Sequence, residues 1–398
     1  MNKLFALLFL IPIFASAQNA KLKTTSTDSV EAVKVVDFYT KDIVDFPNEA
    51  DDYYQRGHAR ITLKDFNGAL VDLNKAVSLK INFDRAYVDR GRLKDVLSNY
   101  EGAIADYDQA ISIKPTAVAY YSRGLANFSM NNFTAARADY DKAIELDPKY
   151  KNAYIERGQL KKEAGDSKGA VADYDAAIAI DANNVGAYSL RAEAKSALND
   201  AKGAAGDYNQ ALKLAPPGAD MYLNSGNAKL KIKDYAGANA DYAAAIRLDS
   251  KNILAYYNRA ITLDNLGRFA AAIADYTTYL KSNEDSGRAY LKRGNDYLKT
   301  ANYKNAVEDF DKRLSLNSNN TEALFNRAFC KRNLKDYPGA IADYSRVIAI
   351  DPKNGDAYNN RGFISHTLRN DAAACPDFKK AITLGNKAAV ENALHFCK

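Results

Sequence analysis
The chain of 398 residues contains no tryptophan and only three each of cysteine, histidine and methionine. His58, His366 and His395 are dispersed without metal-ligand spacing, and no nucleophile stands in a recognisable arrangement with a base. No glycine-rich loop follows a strand pattern in the way a phosphate cradle requires. Neither a catalytic site, a metal centre nor a cofactor is therefore expected. Charge of one sign is also missing in bulk: 55 Lys and Arg against 49 Asp and Glu leave a net charge of +6, with the signs interleaved. No basic cluster marks a nucleic-acid surface. Without tryptophan, and with its tyrosines at regular structural positions, the chain offers no obvious platform for stacking sugars.

Long apolar runs are absent after the first residues, so no membrane span is expected. Residues 1–17, MNKLFALLFLIPIFASA, carry Lys3, an apolar run from Leu4 to Ala15 broken by Pro12, and the small-residue ending Ala15-Ser16-Ala17. That pattern reads as a secretory signal peptide, too short to cross a bilayer. With no cysteine at the cleavage site, a lipid anchor is not expected. Residues 18–28 are polar and read as a disordered leading segment, and 29–49 as a capping half-repeat.

What the chain has in abundance is periodicity. Gly57, Gly91, Gly124, Gly158, Ala192, Gly226, Ala260, Gly294, Ala328 and Gly362 recur at intervals of 34 residues, once 33, across residues 50–384. A fixed period of this length means one supersecondary unit stacked many times. With these small residues at position 8, position 20 is Ala in all ten repeats and position 24 is aromatic in nine. Large and small apolar residues three, four and seven apart describe helix faces, so each repeat reads as two helices, at positions of about 2–14 and 17–30. Turns such as Lys233-Asp234-Tyr235 lie between the helices, and breakers such as Asp147-Pro148-Lys149 between the repeats.

Segments such as AYYNRAITLDNLGRFAAAIADYTTYL (residues 255–280) resemble tetratricopeptide repeats. The resemblance implies an all-α, right-handed α-solenoid of about ten helical hairpins, with capping helices at both ends, the last over 385–398. It also implies a non-enzymatic scaffold that binds a protein or peptide along a concave groove lined by positions 2, 5, 9 and 12. Those positions offer Tyr257, Ile261, Leu291, Leu298, Phe325, Phe329 and Phe363 in repeats 7 to 10, and Tyr121, Leu125 and Phe128 in repeat 3. The same side chains could equally pack against neighbouring repeats. A clamp for a C-terminal carboxylate is not expected, because position 5 is never Lys. The leader and the ending DFKKAITLGN…C resemble exported repeat proteins of Bacteroidota-type bacteria, which favours the periplasm over the medium. Two other functions stay open: a structural subunit of an envelope assembly using its convex face or ends, and a carbohydrate or peptidoglycan binder.

Position 7 is Arg in nine repeats and position 23 is Asp in all ten. In a hairpin the two face each other, so structural ion pairs are expected, as in Arg157–Asp173, Arg259–Asp275 and Arg327–Asp343. Only Ser225 interrupts the arginines, leaving Asp241 to find another partner or stay solvated. Of the three cysteines, Cys330 falls at a position usually held by Ala and reads as a buried thiol. Cys375 and Cys397 either bond, stapling the C-terminal end, or remain free; their place beside the chain end favours the bond.

Overall fold
The structure, a computed structural model, describes residues 26–397; the readings made for residues 1–17 and 18–25 lie outside that range. Among the described residues there are 22 helices and no strand. The first, α1 (Ser26–Asp45), begins earlier than the half-repeat expected over 29–49, so residues 26–28 are helical rather than disordered. Ser, Thr and Asp are residue types favoured at helix starts.

Ten hairpins follow. They are α2 (Ala50–Thr62) with α3 (Phe66–Leu79), α4 (Asp84–Val96) with α5 (Tyr100–Ile113), α6 (Ala117–Ser129) with α7 (Phe133–Leu146), and α8 (Lys151–Glu163) with α9 (Ser167–Ile180). Then come α10 (Val185–Ala197) with α11 (Ala201–Leu214), α12 (Ala219–Lys231) with α13 (Tyr235–Leu248), and α14 (Ile253–Asn265) with α15 (Phe269–Leu280). The last three are α16 (Gly287–Lys299) with α17 (Tyr303–Leu316), α18 (Thr321–Asn333) with α19 (Tyr337–Ile350), and α20 (Gly355–Thr367) with α21 (Asp371–Thr383). A short α22 (Ala388–Phe396) closes the series. The chain divides inside α10, between Leu190 and Arg191, into two compact units. Within each unit consecutive helices pack on one another, the all-α hairpin stack that the period implies.

The turn between the two helices of each hairpin is made the same way ten times. Position 15 is left-handed in every repeat, with φ of 63° at Lys64, 62° at Lys233, 56° at Ala301 and 84° at Gly165. That conformation lets the next amide reach back to close the first helix, as Asp65 N does to the Arg60 carbonyl at 2.9 Å. In seven of the ten hairpins a carboxylate or carboxamide at position 16 then caps the second helix: Asp166 accepts from Gly169 N at 2.8 Å and Asp234 from Gly237 N at 3.0 Å.

The core repeats with the sequence. Ala at position 20 is fully buried in all ten hairpins, and position 24 of the same helix, aromatic in nine and Leu73 in the first, is buried with it. A Cβ built on Gly124 would lie 2.6 Å from the Tyr140 ring, and one on Gly226 would lie 2.7 Å from that of Tyr242. The hydroxyls of Tyr140, Tyr276 and Tyr344 find no hydrogen-bond partner, and Phe310 and Phe378 take the same place in repeats 8 and 10. It is the ring that matters there, as packing volume.

Position 7 does more than pair with position 23. Arg157 grips Asp173 with two parallel bonds of 3.0 and 2.6 Å, and Arg327 grips Asp343 at 2.8 and 2.6 Å. Arg259 does the same to Asp275 at 2.7 and 2.8 Å. The third nitrogen reaches position 25 of the preceding hairpin, from Arg157 to Asp141 at 2.7 Å and from Arg293 to Thr277 at 2.9 Å. The Tyr at position 4 lies against the guanidinium, 5.5 Å away for Tyr154 and Arg157. One arginine therefore ties together two helices and two hairpins.

A second cation, at position 11, was not read from the sequence. Lys161 reaches Asp173 at 2.8 Å, Lys195 reaches Asp207 at 2.8 Å and Lys331 reaches Asp343 at 2.9 Å. Asp241, opposite Ser225, is buried rather than solvated: the Ser225 hydroxyl donates to it at 2.6 Å and Lys229 at 2.7 Å.

Cys375 and Cys397 form a disulfide that ties α22 to α21. Cys330 is free and fully buried, and burial pushes its thiol up to about 12.

Candidate binding face
Within the second unit the first helices of the hairpins share a face lined at positions 6, 9, 12 and 13. That face carries two cavities. One, of about 570 Å³, is lined by Glu193 and Ser196 of α10, Asn224, Asn227, Leu230 and Lys231 of α12, Asn258 of α14, and the Tyr208 ring. The other, of about 220 Å³, lies among Asp264 of α14, Lys292, Asn295, Leu298 and Lys299 of α16, and Asn326 of α18.

The apolar residues expected here are placed as follows. Tyr257 and Ile261 are half-buried against the core of hairpin 7, the Tyr257 ring 4.7 Å from that of Tyr279. Leu291, Leu298 and Phe325 pack half-buried against the core of hairpins 8 to 10, with Phe325 edge-on to Tyr344 at 5.3 Å. Phe329 lies under the Arg332 guanidinium at 4.8 Å, and Phe363 is the most open of the group at 39 % exposed. In the first unit Leu125 and Phe128 are half-buried, whereas Tyr121 is only 4 % exposed and belongs to the core beside Tyr140 and Tyr150. Tyr121 is thus a correction to the list of groove candidates. Its ring fills the gap between hairpins 3 and 4 because position 5 there faces the large Tyr150 of the following linker.

Position 6, omitted from the sequence-based list, supplies the polar half of the face. It is Asn in four of the last five repeats: Asn224, Asn258, Asn326 and Asn360. The Asn258 amide donates to Asn227 Oδ1 at 2.8 Å, and the Asn326 amide donates to Asn295 Oδ1 at 2.9 Å. Each pair links position 9 of one hairpin to position 6 of the next. Asn227 also accepts from the buried Tyr242 hydroxyl at 2.9 Å, which fixes its carbonyl end inward. The Asn227 amide and the Asn258 carbonyl are left facing the cavity, one donor and one acceptor.

One buried charge distinguishes hairpin 8. Position 10 is apolar, a small hydroxyl or a thiol in the other repeats, but here it is Asp296, wholly buried, with Oδ2 unpartnered. Lys299 bridges Asp296 and the neighbouring Asp264. Burial first, and the neighbouring Asp264 next, raise Asp296 to about 7 against the opposing pull of Lys299. A carboxyl that holds its proton more tightly when folded stabilises the fold below the unfolded-state value of about 4, and loses that contribution as pH rises to about 7. Asp296→Asn keeps the shape and cannot ionise. It is expected to raise stability by roughly 1–2 kcal/mol at pH 8 and to leave it nearly unchanged at pH 4. Thermal melts at the two pH values check this; an equal gain at both would show that ionisation of Asp296 is not involved.

Two of the histidines hydrogen-bond carboxylates, His58 to Asp89 at 3.0 Å and His366 to Asp371 at 2.5 Å. Among the described residues no group of three or more His, Cys, Asp or Glu is placed to hold a metal ion, and no helix is long and apolar enough to cross a membrane.

Known proteins were compared with this chain in sequence and in structure. Family profiles described as tetratricopeptide repeat match residues 53–80, 84–116, 117–150, 152–184, 223–286 and 257–312, and one described as TPR repeat matches 332–368. No curated protein matches the sequence. Among solved structures, the C-terminal part of a TPR repeat-containing protein from Cytophaga hutchinsonii is 18 % identical, with a TM-score of 0.50, over 60 % of this chain and 98 % of that one. A tetratricopeptide repeat protein from Parabacteroides merdae is 15 % identical, with a TM-score of 0.42, over 62 % of this chain and 98 % of that one. YrrB, described as a TPR protein with an unusual peptide-binding site, is 22 % identical, with a TM-score of 0.44, over 46 % of this chain and 95 % of that one.

Proposed function
We propose, from the premise that this chain belongs to the tetratricopeptide repeat family of protein–protein interaction scaffolds, that it holds an extended peptide segment of a partner protein on the first-helix face of hairpins 6 to 10. The observation that carries this reading is the pair of carboxamide links, Asn227–Asn258 and Asn295–Asn326, beside the half-buried apolar side chains. A peptide group needs one acceptor and one donor at fixed separation, and a clamped carboxamide pair provides both without reading side chains. Phe329 and Phe363, with Arg332 between them, would then receive an apolar side chain of the peptide.

The reading that the chain is exported rests on the residue pattern of 1–17 and favours a periplasmic partner. Crosslinking in intact cells followed by mass spectrometry would identify that partner. Against it, Asn258→Ala, which leaves the bond from Tyr242 to Asn227 in place, is expected to weaken binding by at least tenfold, and Phe363→Asp by a similar factor, both with little change in melting temperature. Full affinity in both variants would move the partner to the opposite face or to the ends of the stack.

A further inference from the structure
The two terminal helices are in register with the repeats. Arg56 Nη1 donates to Thr40 Oγ1, sixteen residues back, as Arg90 does to Asn74 and Arg157 to Asp141. Thr40 therefore occupies position 25, and α1 is a second helix whose own first helix is not among the described residues. At the other end Asn386 Oδ1 caps Ala389 N at 2.8 Å, as Asn354 caps Ala357 N at 2.9 Å. That cap makes α22 a first helix, with Val390, Ala393 and Leu394 at positions 4, 7 and 8.

Each of these helices exposes what its hairpin partner would cover. Phe38 holds position 23, where all ten repeats have an Asp that is at most 7 % exposed; Phe38 is 61 % exposed. Leu394 holds position 8, where all ten repeats bury Gly or Ala; it is 70 % exposed. Val390, at position 4 of α22, is exposed as well, where the ten repeats half-bury or bury that position. Among the described residues nothing covers either face, and apolar ends are unlike the polar outer faces that close repeat arrays.

We propose that α22 of one copy and α1 of a second copy complete one hairpin, so that copies of this chain associate head to tail. The joint replaces the Arg–Asp pair of the internal hairpins with Ala393 against Phe38. Its two sides carry opposite charge. Residues 29–45 of α1 have four acids (Glu31, Asp37, Asp42 and Asp45) and two lysines, a net of −2. Residues 379–397 have Lys379, Lys380 and Lys387 against Glu391, a net of +2. Opposite potentials of this kind steer encounter and fix orientation. The disulfide holds α22 against α21, so the face it presents is already ordered before a second copy arrives. Leu394 and Val35 stand where Gly and Ala allow close approach in the other hairpins, so the two helices meet at a wider spacing. The contact joins two different surfaces and can therefore propagate beyond a dimer. It is independent of the peptide reading, because it uses neither the carboxamide pairs nor Phe363.

Sedimentation velocity on the full chain as recovered from cells tests this. Species larger than a dimer are expected to grow with concentration and to weaken as salt is raised. Phe38→Asp and Leu394→Asp should each weaken association at least tenfold, with unchanged thermal melting because both side chains are exposed. Should either fail to fold, Phe38→Ala and Val390→Asp replace them. Mixing the two variants is decisive: one keeps its α22 face and the other its α1 face, so the mixture should form dimers that do not grow. A wild-type chain that stays monomeric at every concentration overturns the proposal. So does a single variant that associates like wild type, or a mixture that stays monomeric.

Discussion

Replacing Asp173 with alanine is expected to cost about 3–5 kcal/mol, as should the same change at Asp343, which is held alike by Arg327 and Lys331. The Asp173 carboxylate is 3 % exposed and receives two bonds from Arg157 and one from Lys161. Its loss leaves Lys161 and the inner edge of the Arg157 guanidinium without their carboxylate, while Asp141 still holds the outer nitrogen. The reciprocal change should be milder. Arg157→Ala leaves Asp173 with Lys161 at 2.8 Å, and the protein already contains such a hairpin: Ser225 and Lys229 satisfy Asp241 without any arginine. A cost of roughly 1–2 kcal/mol is expected there. Denaturant unfolding of the two variants checks the order, and equal losses would mean that the lysine carries no share of the burden. Because hairpins touch chiefly their neighbours, the damage should first appear as early hydrogen exchange in hairpins 3 to 5.

The second large effect is steric. Gly124→Val is expected to destabilise by about 3 kcal/mol or more, since the added branch must enter space occupied by the Tyr140 ring and by Asp139 Cβ at 3.2 Å. A single methyl is a different matter. Ala192, Ala260 and Ala328 stand at the same position opposite Tyr208, Tyr276 and Tyr344, with those rings still buried. Gly124→Ala should therefore cost only about 1 kcal/mol, through a small retreat of the ring. Melting temperatures of the pair measure the difference, and a valine variant as stable as the alanine one would show that the two helices are free to move apart.

The period made the hairpins, the buried Ala and aromatic positions, and the pairing of arginine at position 7 with aspartate at position 23 legible, because each is a local consequence of helix geometry repeated along the chain. What it hid were contacts set by the next hairpin along. The link from Arg157 to Asp141 crosses a repeat boundary, and the Asn227–Asn258 link joins positions 9 and 6, which no single repeat brings together. Lys161 gives no signal for another reason: a lysine one turn after an arginine reads as ordinary solvated surface until the carboxylate opposite proves to be buried. Tyr121 shows the limit in the other direction. Its position predicts a groove, but the size of Tyr150 opposite decides that it is core. The cluster of Asp264, Lys299 and Asp296 had no periodic signal at all, since Asp296 breaks an otherwise uncharged column.

The burial of Cys330 also bears on the order in which this chain must mature. An unfolded chain with three equivalent thiols can close three different pairs, and two of them involve Cys330. Short helical hairpins form from local contacts in microseconds to milliseconds, whereas disulfides close over seconds to hours. Hairpin 9 thus sequesters Cys330 before any oxidant acts, and its suppressed thiolate leaves Cys375 and Cys397 as the only reactive partners. Correct crosslinking is in this sense a timing effect: the odd cysteine is harmless provided that helices α18 and α19 win the race.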